Sequence, residues 1–206
     1  LLSENAVNTP KIIESSKSQM LLEDLGDLSL EDHFKSGGQA YSSAVSQLVK
    51  IQNIPIKGSS KAQSYSFTAE KFSWEMNFTL THFIKLLKMN LRDEHIQTLQ
   101  GEFLELSTHL CGLEQVITHR DLHSRNIMIN GGKAYIIDFQ DARIGPKFYD
   151  LVSLIEDSYT NLDSAFKNEL IGLYCEKTKA DFNENFIHNY HIQNLQRSFK
   201  ACGSFA

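Results

Sequence analysis

Apolar positions follow two rhythms along this chain. Tyr41, Ala44, Val45, Leu48 and Val49 recur at i, i+3, i+4, i+7 and i+8, which is the spacing of one helical face. A long helix is expected from about Thr68 to Met89. Another is expected from about Asp93 to Leu110, with Leu99, Phe103, Leu106 and Leu110 in one stripe. From Asp150 onward the helical rhythm returns: Leu151, Leu154 and Ile155 share one face, and Leu170, Leu173 and Tyr174 another.

Elsewhere the period shortens. Val116-Ile117, Ile127-Met128-Ile129 and Ala134-Tyr135-Ile136-Ile137 are short β-type runs. Asn130-Gly131-Gly132, between the last two, predicts a hairpin turn, because Asn and Gly accept the positive φ such turns need. Upstream, Lys11-Ile12-Ile13 and Gln19-Met20-Leu21-Leu22 suit two paired strands across a Ser/Lys turn. Ser29-Leu30-Glu31-Asp32 carries a capping-box pattern for a short helix that Gly37-Gly38 would end. Residues 54–67, with Pro55, Gly58 and several serines, read as a loop.

Composition narrows the class. With 206 residues, 41% hydrophobic and 22% charged, the chain can bury the core of one domain or one and a half. The net charge of −5 provides no basic stripe for nucleic acid. No apolar run approaches the roughly 18 residues of a membrane helix, and the first residues lack the build of a signal peptide. The expectation is a soluble, cytoplasmic protein of open oligomeric state. Cys111, Cys175 and Cys202 are odd in number without a CxxC pair, so they read as buried or inert thiols. The chain opens on Leu1 and closes just after a helical pattern, so both ends read as cut.

The chemistry concentrates between Val116 and Phe139. His119-Arg120-Asp121-Leu122-His123-Ser124-Arg125-Asn126 spells H-R-D-L-x-x-x-N, and the predicted hairpin then delivers Asp138. Phosphoryl transfer needs a carboxylate to orient and deprotonate the acceptor hydroxyl, and hard oxygen ligands to hold Mg²⁺ on the phosphates. Asp121 suits the first role, and Asn126 and Asp138 the second. A tight loop and a hairpin can fold those separations onto one site.

These residues resemble the kinase-like superfamily. Gln140 stands where a protein kinase has Gly, and only eleven residues separate Asp138 from Asp150, too few for a peptide platform. The segment from Ile137 through Gly145-Pro146 to Tyr149-Asp150-Leu151 is similar to the aminoglycoside phosphotransferase and choline kinase pattern. It looks most like that of bacterial amino-sugar kinases acting on N-acetylmuramate and N-acetylglucosamine. The resemblance implies an α+β, protein-kinase-like fold, mainly the helical C-terminal lobe with a small catalytic hairpin. Residues 1–25 would be the remnant of a β-rich N-terminal lobe and hinge, and residues 26–206 the catalytic lobe. The glycine-rich loop and strand lysine of the superfamily would lie upstream. The resemblance further implies ATP as donor, a small hydroxylated acceptor, and adenine bound by the backbone of Glu23 and Leu25 above Met128. Asp150 would buttress the catalytic loop, although its position also suits a helix N-cap. His119 reads as structural support, and His123, Arg125 and Asp141 as phosphate or acceptor contacts. Glu75 could meet a sugar hydroxyl, though a solvated helix face is the plainer expectation.

Two other classes compete. His119, Asp121 and His123 could ligate the metal of a hydrolase, a scheme that leaves Asn126 and the strand before Asp138 without a role. A non-catalytic pseudokinase fragment is the second, against which the intact Asp121, Asn126 and Asp138 speak. Within the kinase reading, aminoglycoside, choline and homoserine acceptors stay open.

Overall fold

The computed structural model describes residues 1–34, 38 and 40–205. A two-stranded antiparallel ribbon comes first, β1 (Ile12–Ser15) with β2 (Met20–Leu22), and its side chains are exposed throughout. A short helix α1 (Leu30–Phe34) follows, entered as its sequence predicts: Ser29 Oγ accepts the Asp32 N–H at 3.1 Å and donates to the Asp32 carboxylate at 2.8 Å. Gly37, expected to help end it, lies outside the described residues, while Gly38 has φ +70°.

Helix α2 (Tyr41–Gln52) buries all five positions of its predicted face. The next stretch is not all loop. Ser60 and Gln63 cap a one-turn helix α3 (Lys61–Ser64), too short to show a hydrophobic period. Thr68 caps α4 (Ala69–Leu86), and α5 (Asp93–Gly112) packs against it through Met76, Leu80 and Phe103.

Strand β3 (Gln115–Thr118) leads into the His-Arg-Asp loop. The hairpin is β4 (Ile127–Asn130) with β5 (Lys133–Ile136), in the register Ile127 opposite Ile136. Gly131 and Gly132 alone take the positive φ of its turn, +56° and +72°. Asn130, expected within that turn, is instead the last strand residue, paired with Lys133, and its amide donates to the Leu25 carbonyl at 3.4 Å. The segment Arg143–Pro146 forms strand β6 antiparallel to β3, where no strand was expected. Its sequence hides this, since Pro146 suits only a sheet edge and the partner lies 25 or more residues away.

Three helices complete the fold: α6 (Phe148–Ile155), α7 (Ser164–Thr178) and α8 (Glu184–Phe205). Every residue of α6 is buried, so it is the central pillar. The main core joins α2, α6 and α7 to the hairpin, with Leu122 of the catalytic loop fully inside it. A smaller cluster stacks Phe67 on Phe72 at 4.4 Å beside Tyr149. Among the described residues no helix is long and apolar enough to cross a membrane.

The approach of β6 to Phe67 is close. A Cβ on Gly145 would stand 2.7 Å from a Phe67 ring carbon and 3.0 Å from Thr118 Oγ1. Gly145→Ala is therefore expected to destabilise the chain by about 1–3 kcal/mol through overpacking. The check is a lowered thermal midpoint with an unchanged helical signal.

Candidate active site

The catalytic loop is held from both sides by buried carboxylates. Asp150, in the first turn of α6 and fully buried, accepts the backbone N–H groups of His119 at 2.6 Å and Arg120 at 3.0 Å. It is not the N-cap, a position held by Lys147. Arg120 has φ +82°, a left-handed conformation that costs a side-chain-bearing residue free energy, and the Asp150 bonds hold it there. On the far side, Asp157 accepts the Ser124 N–H at 2.7 Å and the Tyr159 N–H at 2.9 Å. That bond anchors the 3₁₀ turn Ser124–Asn126.

Between these clamps lies Asp121. Its carbonyl accepts the Asn126 side-chain N–H at 2.9 Å, which turns the Asn126 amide oxygen away from the loop. Among the described residues the Asp121 carboxylate forms no hydrogen bond or ion pair. It borders a cavity of about 500 Å³ that His123, Tyr159, Arg197 and Lys200 also line.

Strand register brings Asn126 and Asp138 to the same end of the hairpin. Asn126 precedes β4, and its carbonyl accepts the Ile137 N–H at 3.1 Å, so Asp138 follows directly across. The His119 ring nitrogen Nε2 meets the Ile137 carbonyl at 2.9 Å, tying the catalytic loop to the strand that carries Asp138. Asp138 has φ +62°, a second strained residue, and one of its oxygens accepts from Gln140 at 2.7 Å. The Asn126 amide oxygen and the remaining Asp138 oxygen are the hard donors a Mg²⁺ ion takes, so this set fits the ion.

Burial sets the protonation of the supports. It depresses the His119 imidazole to about pKa 4, keeping the ring neutral with Nε2–H as donor. It raises the Asp150 carboxyl to about 6, against the two backbone N–H groups and the Arg197 charge that favour the anion.

The remaining expected site residues divide. Arg125 is engaged elsewhere: its guanidinium forms a two-bond pair with Glu31, at 2.7 and 3.3 Å, and stacks 3.7 Å from the Tyr159 ring. Asp141 pairs with Arg120 at 3.3 Å. Glu75 is not on a solvated face. It is 6% exposed, with Lys71 at 3.9 Å and its other oxygen buried without a partner among the described residues. Met128 is half-buried in β4 and bridges to Ser29, near the segment of Glu23 and Leu25. There the Glu23 N–H bonds the Lys11 carbonyl at 2.8 Å, while the Leu25 N–H has no partner among the described residues. All three cysteines are free thiols: Cys175 is buried, Cys111 half-buried and Cys202 exposed. The competing hydrolase set does not assemble: the His119 ring is spent on Ile137, and no group of three metal-binding side chains gathers among the described residues.

Sequence reasoning missed Asp157 and Arg197. Each acts across the fold, Arg197 by donating to the Arg120 carbonyl at 3.1 Å from α8. An acidic residue two positions after a helix end, or one Arg on a long helix, carries no local signal.

Fold and loop together have a protein-kinase-like architecture. The chain belongs to the phosphotransferase enzyme family APH, whose profile matches residues 1–185. It is 28% identical over 215 residues to an N-acetylmuramate/N-acetylglucosamine kinase of Neisseria meningitidis, covering 97% of this chain and 63% of that protein. The chain thus spans less than two thirds of that relative's length. Among solved structures it is similar to an amicoumacin kinase bound to AMP-PNP, with TM-score 0.68 and 13% identity, covering 98% of this chain and 66% of that one. It is likewise similar to an aminoglycoside phosphotransferase of Streptomyces rimosus with ADP and streptomycin, with TM-score 0.64, 11% identity, and coverage of 97% and 78%.

The two supports respond oppositely to acid. The folded pKa of His119 lies below its unfolded value near 6.5, so its contribution is lost as pH falls from about 6.5 towards 4. The folded pKa of Asp150 lies above its unfolded value near 3.8, so its contribution grows as pH falls from about 6 towards 4. Asp150→Asn removes the second term and one acceptor. The variant is expected to be less stable by about 2–4 kcal/mol at pH 7 and to lose stability more steeply than the parent between pH 6.5 and 4. Urea melts across that range check both.

Proposed function

We propose that this chain is the catalytic part of an ATP-dependent small-molecule kinase that phosphorylates a hydroxyl of an amino sugar. The observation that carries this is Asp121: a carboxylate without a partner among the described residues, in a loop clamped on both sides, bordering a cavity of about 500 Å³. Such a volume suits a monosaccharide. The amino-sugar reading is supported by the relatives' names, and ATP by the nucleotides in the solved neighbours.

In this reading residues 1–25 form the hinge side of a larger nucleotide-binding lobe and residues 26–206 the catalytic lobe. The Glu23 carbonyl and Leu25 N–H meet the adenine edge, and Met128 lies beneath the ring. Asn126 and Asp138 hold Mg²⁺, which when bound neutralises charge on the phosphate oxygens. Asp121 orients the acceptor hydroxyl and takes its proton as the new bond to phosphorus forms. His119 keeps the loop docked on the strand before Asp138, and Asp150 and Asp157 fix the backbone on either side of the base. The short Phe139–Tyr149 segment, four of whose residues belong to β6, supports a small acceptor over a polypeptide. Of the acceptor contacts expected from sequence, His123 borders the cavity, whereas Arg125 is drawn off by Glu31.

Asp121→Asn keeps the shape and removes the basicity. In the full-length protein, assayed with Mg²⁺·ATP and N-acetylglucosamine or N-acetylmuramate, kcat is expected to fall by about 10²–10⁴ with little change in nucleotide affinity. Loss of ATP binding with kcat intact at saturation would reassign Asp121 to the metal. Asp138→Ala is expected to abolish the Mg²⁺ dependence of nucleotide binding, which calorimetry with and without EDTA measures. Undiminished Mg²⁺-dependent binding in that variant would exclude Asp138 as a ligand.

A further inference from the structure

The cavity beside Asp121 is unevenly charged. Its lining carries three carboxylates, Asp121, Glu156 and Asp157, and two cations from α8, Arg197 and Lys200. Two of the carboxylates are already committed. Glu156 pairs with Lys167 at 2.5 Å and accepts from the Tyr190 hydroxyl at 2.8 Å, and Asp157 accepts two backbone N–H groups. The cations form no such direct pairs, although the Arg197 charge also favours the Asp150 anion from a distance. Arg197 donates to the Arg120 carbonyl and Lys200 to the Tyr149 hydroxyl at 3.2 Å, both neutral acceptors. Neither forms an ion pair among the described residues.

Both side chains are half-buried, and they lie three residues apart on one helical face. Each keeps donors in reserve: a guanidinium has five N–H groups and an ammonium three, and one of each is spent. Partly desolvated cations with spare donors and no direct ion pair among the described residues favour an incoming anion. Asp121, the one uncommitted carboxylate, must stay free to receive a proton in the proposed reaction.

We propose that the Arg197–Lys200 wall binds a carboxylate of the acceptor, so that the site prefers a hydroxylated acid to the neutral sugar of the same ring. This rests on the reading of the cavity as the acceptor site. The acid end lies on α8, and the hydroxyl to be phosphorylated lies at Asp121. Lys200 is the discriminating residue, because Arg197 also supports the catalytic loop.

N-acetylmuramate and N-acetylglucosamine form the test pair, since they share the ring and differ by a carboxylate-bearing substituent. Binding of each to the full-length protein is titrated by calorimetry or ligand-observed NMR, in the parent, Lys200→Gln and Lys200→Arg, with thermal melts to show that each variant folds. The acid is expected to bind at least about tenfold more tightly than the neutral sugar in the parent, with the margin shrinking as salt is raised. The ratio should fall below about threefold in Lys200→Gln and return in Lys200→Arg. Equal binding of the two sugars by the parent, or a ratio unmoved by Lys200→Gln, would overturn the inference while leaving the kinase reading intact. So would a Lys200→Gln variant that loses Mg²⁺·ATP binding instead, because the wall would then serve the phosphates. Binding of neither sugar would overturn the amino-sugar reading, and this inference with it.

Discussion

The pair of hydrogen bonds from the His119 and Arg120 backbones to one buried carboxylate is the constraint on which the site depends. Asp150 can hold that loop because α6 is buried on every side and cannot shift without opening the main core. A fully buried carboxylate is unfavourable alone. Two N–H donors and the nearby Arg197 guanidinium offset that cost, and the cost of the left-handed Arg120 is met in the same place. Rigidity in the pillar thus becomes precision at Asp121, one residue further on.

The same logic repeats along the loop with different partners. Asp157 fixes Ser124, the Asn126 amide fixes the Asp121 carbonyl, and the His119 ring fixes Ile137. Each bond satisfies a backbone group that a tight turn would otherwise leave unpaired. The side chains suited to chemistry are those left over: the Asp121 carboxylate, the Asn126 amide oxygen and one Asp138 oxygen.

Much of this was legible from sequence because it is local. H-R-D-L-x-x-x-N places Asp121 and Asn126 within one loop. The alternation on either side of Gly131-Gly132 brings Asp138 back beside Asn126 by hairpin register alone. The helices α2, α4 and α5 declared themselves by period, since each has one face on the core. What escaped is what sequence distance hides. Strand β6 takes its identity from β3, 25 or more residues earlier, and its Gly and Pro argue for a loop. Asp157 and Arg197 act across 33 and 77 residues, and Glu75 is buried because α8 covers a helix face that reads as polar.

Charge placement then separates the two sides of the site. On the hairpin side, Asn130 reaches the Leu25 carbonyl, so the segment read as the hinge and the strand leaving Asn126 are mechanically joined. That join carries no formal charge, and beside it the Leu25 N–H has no partner among the described residues. On the α8 side, the cavity wall holds two cations that donate to a carbonyl and a hydroxyl, lie over the Tyr149 ring and form no ion pair among the described residues. Asp121 lies between a neutral, hydrogen-bonded frame and a cationic wall.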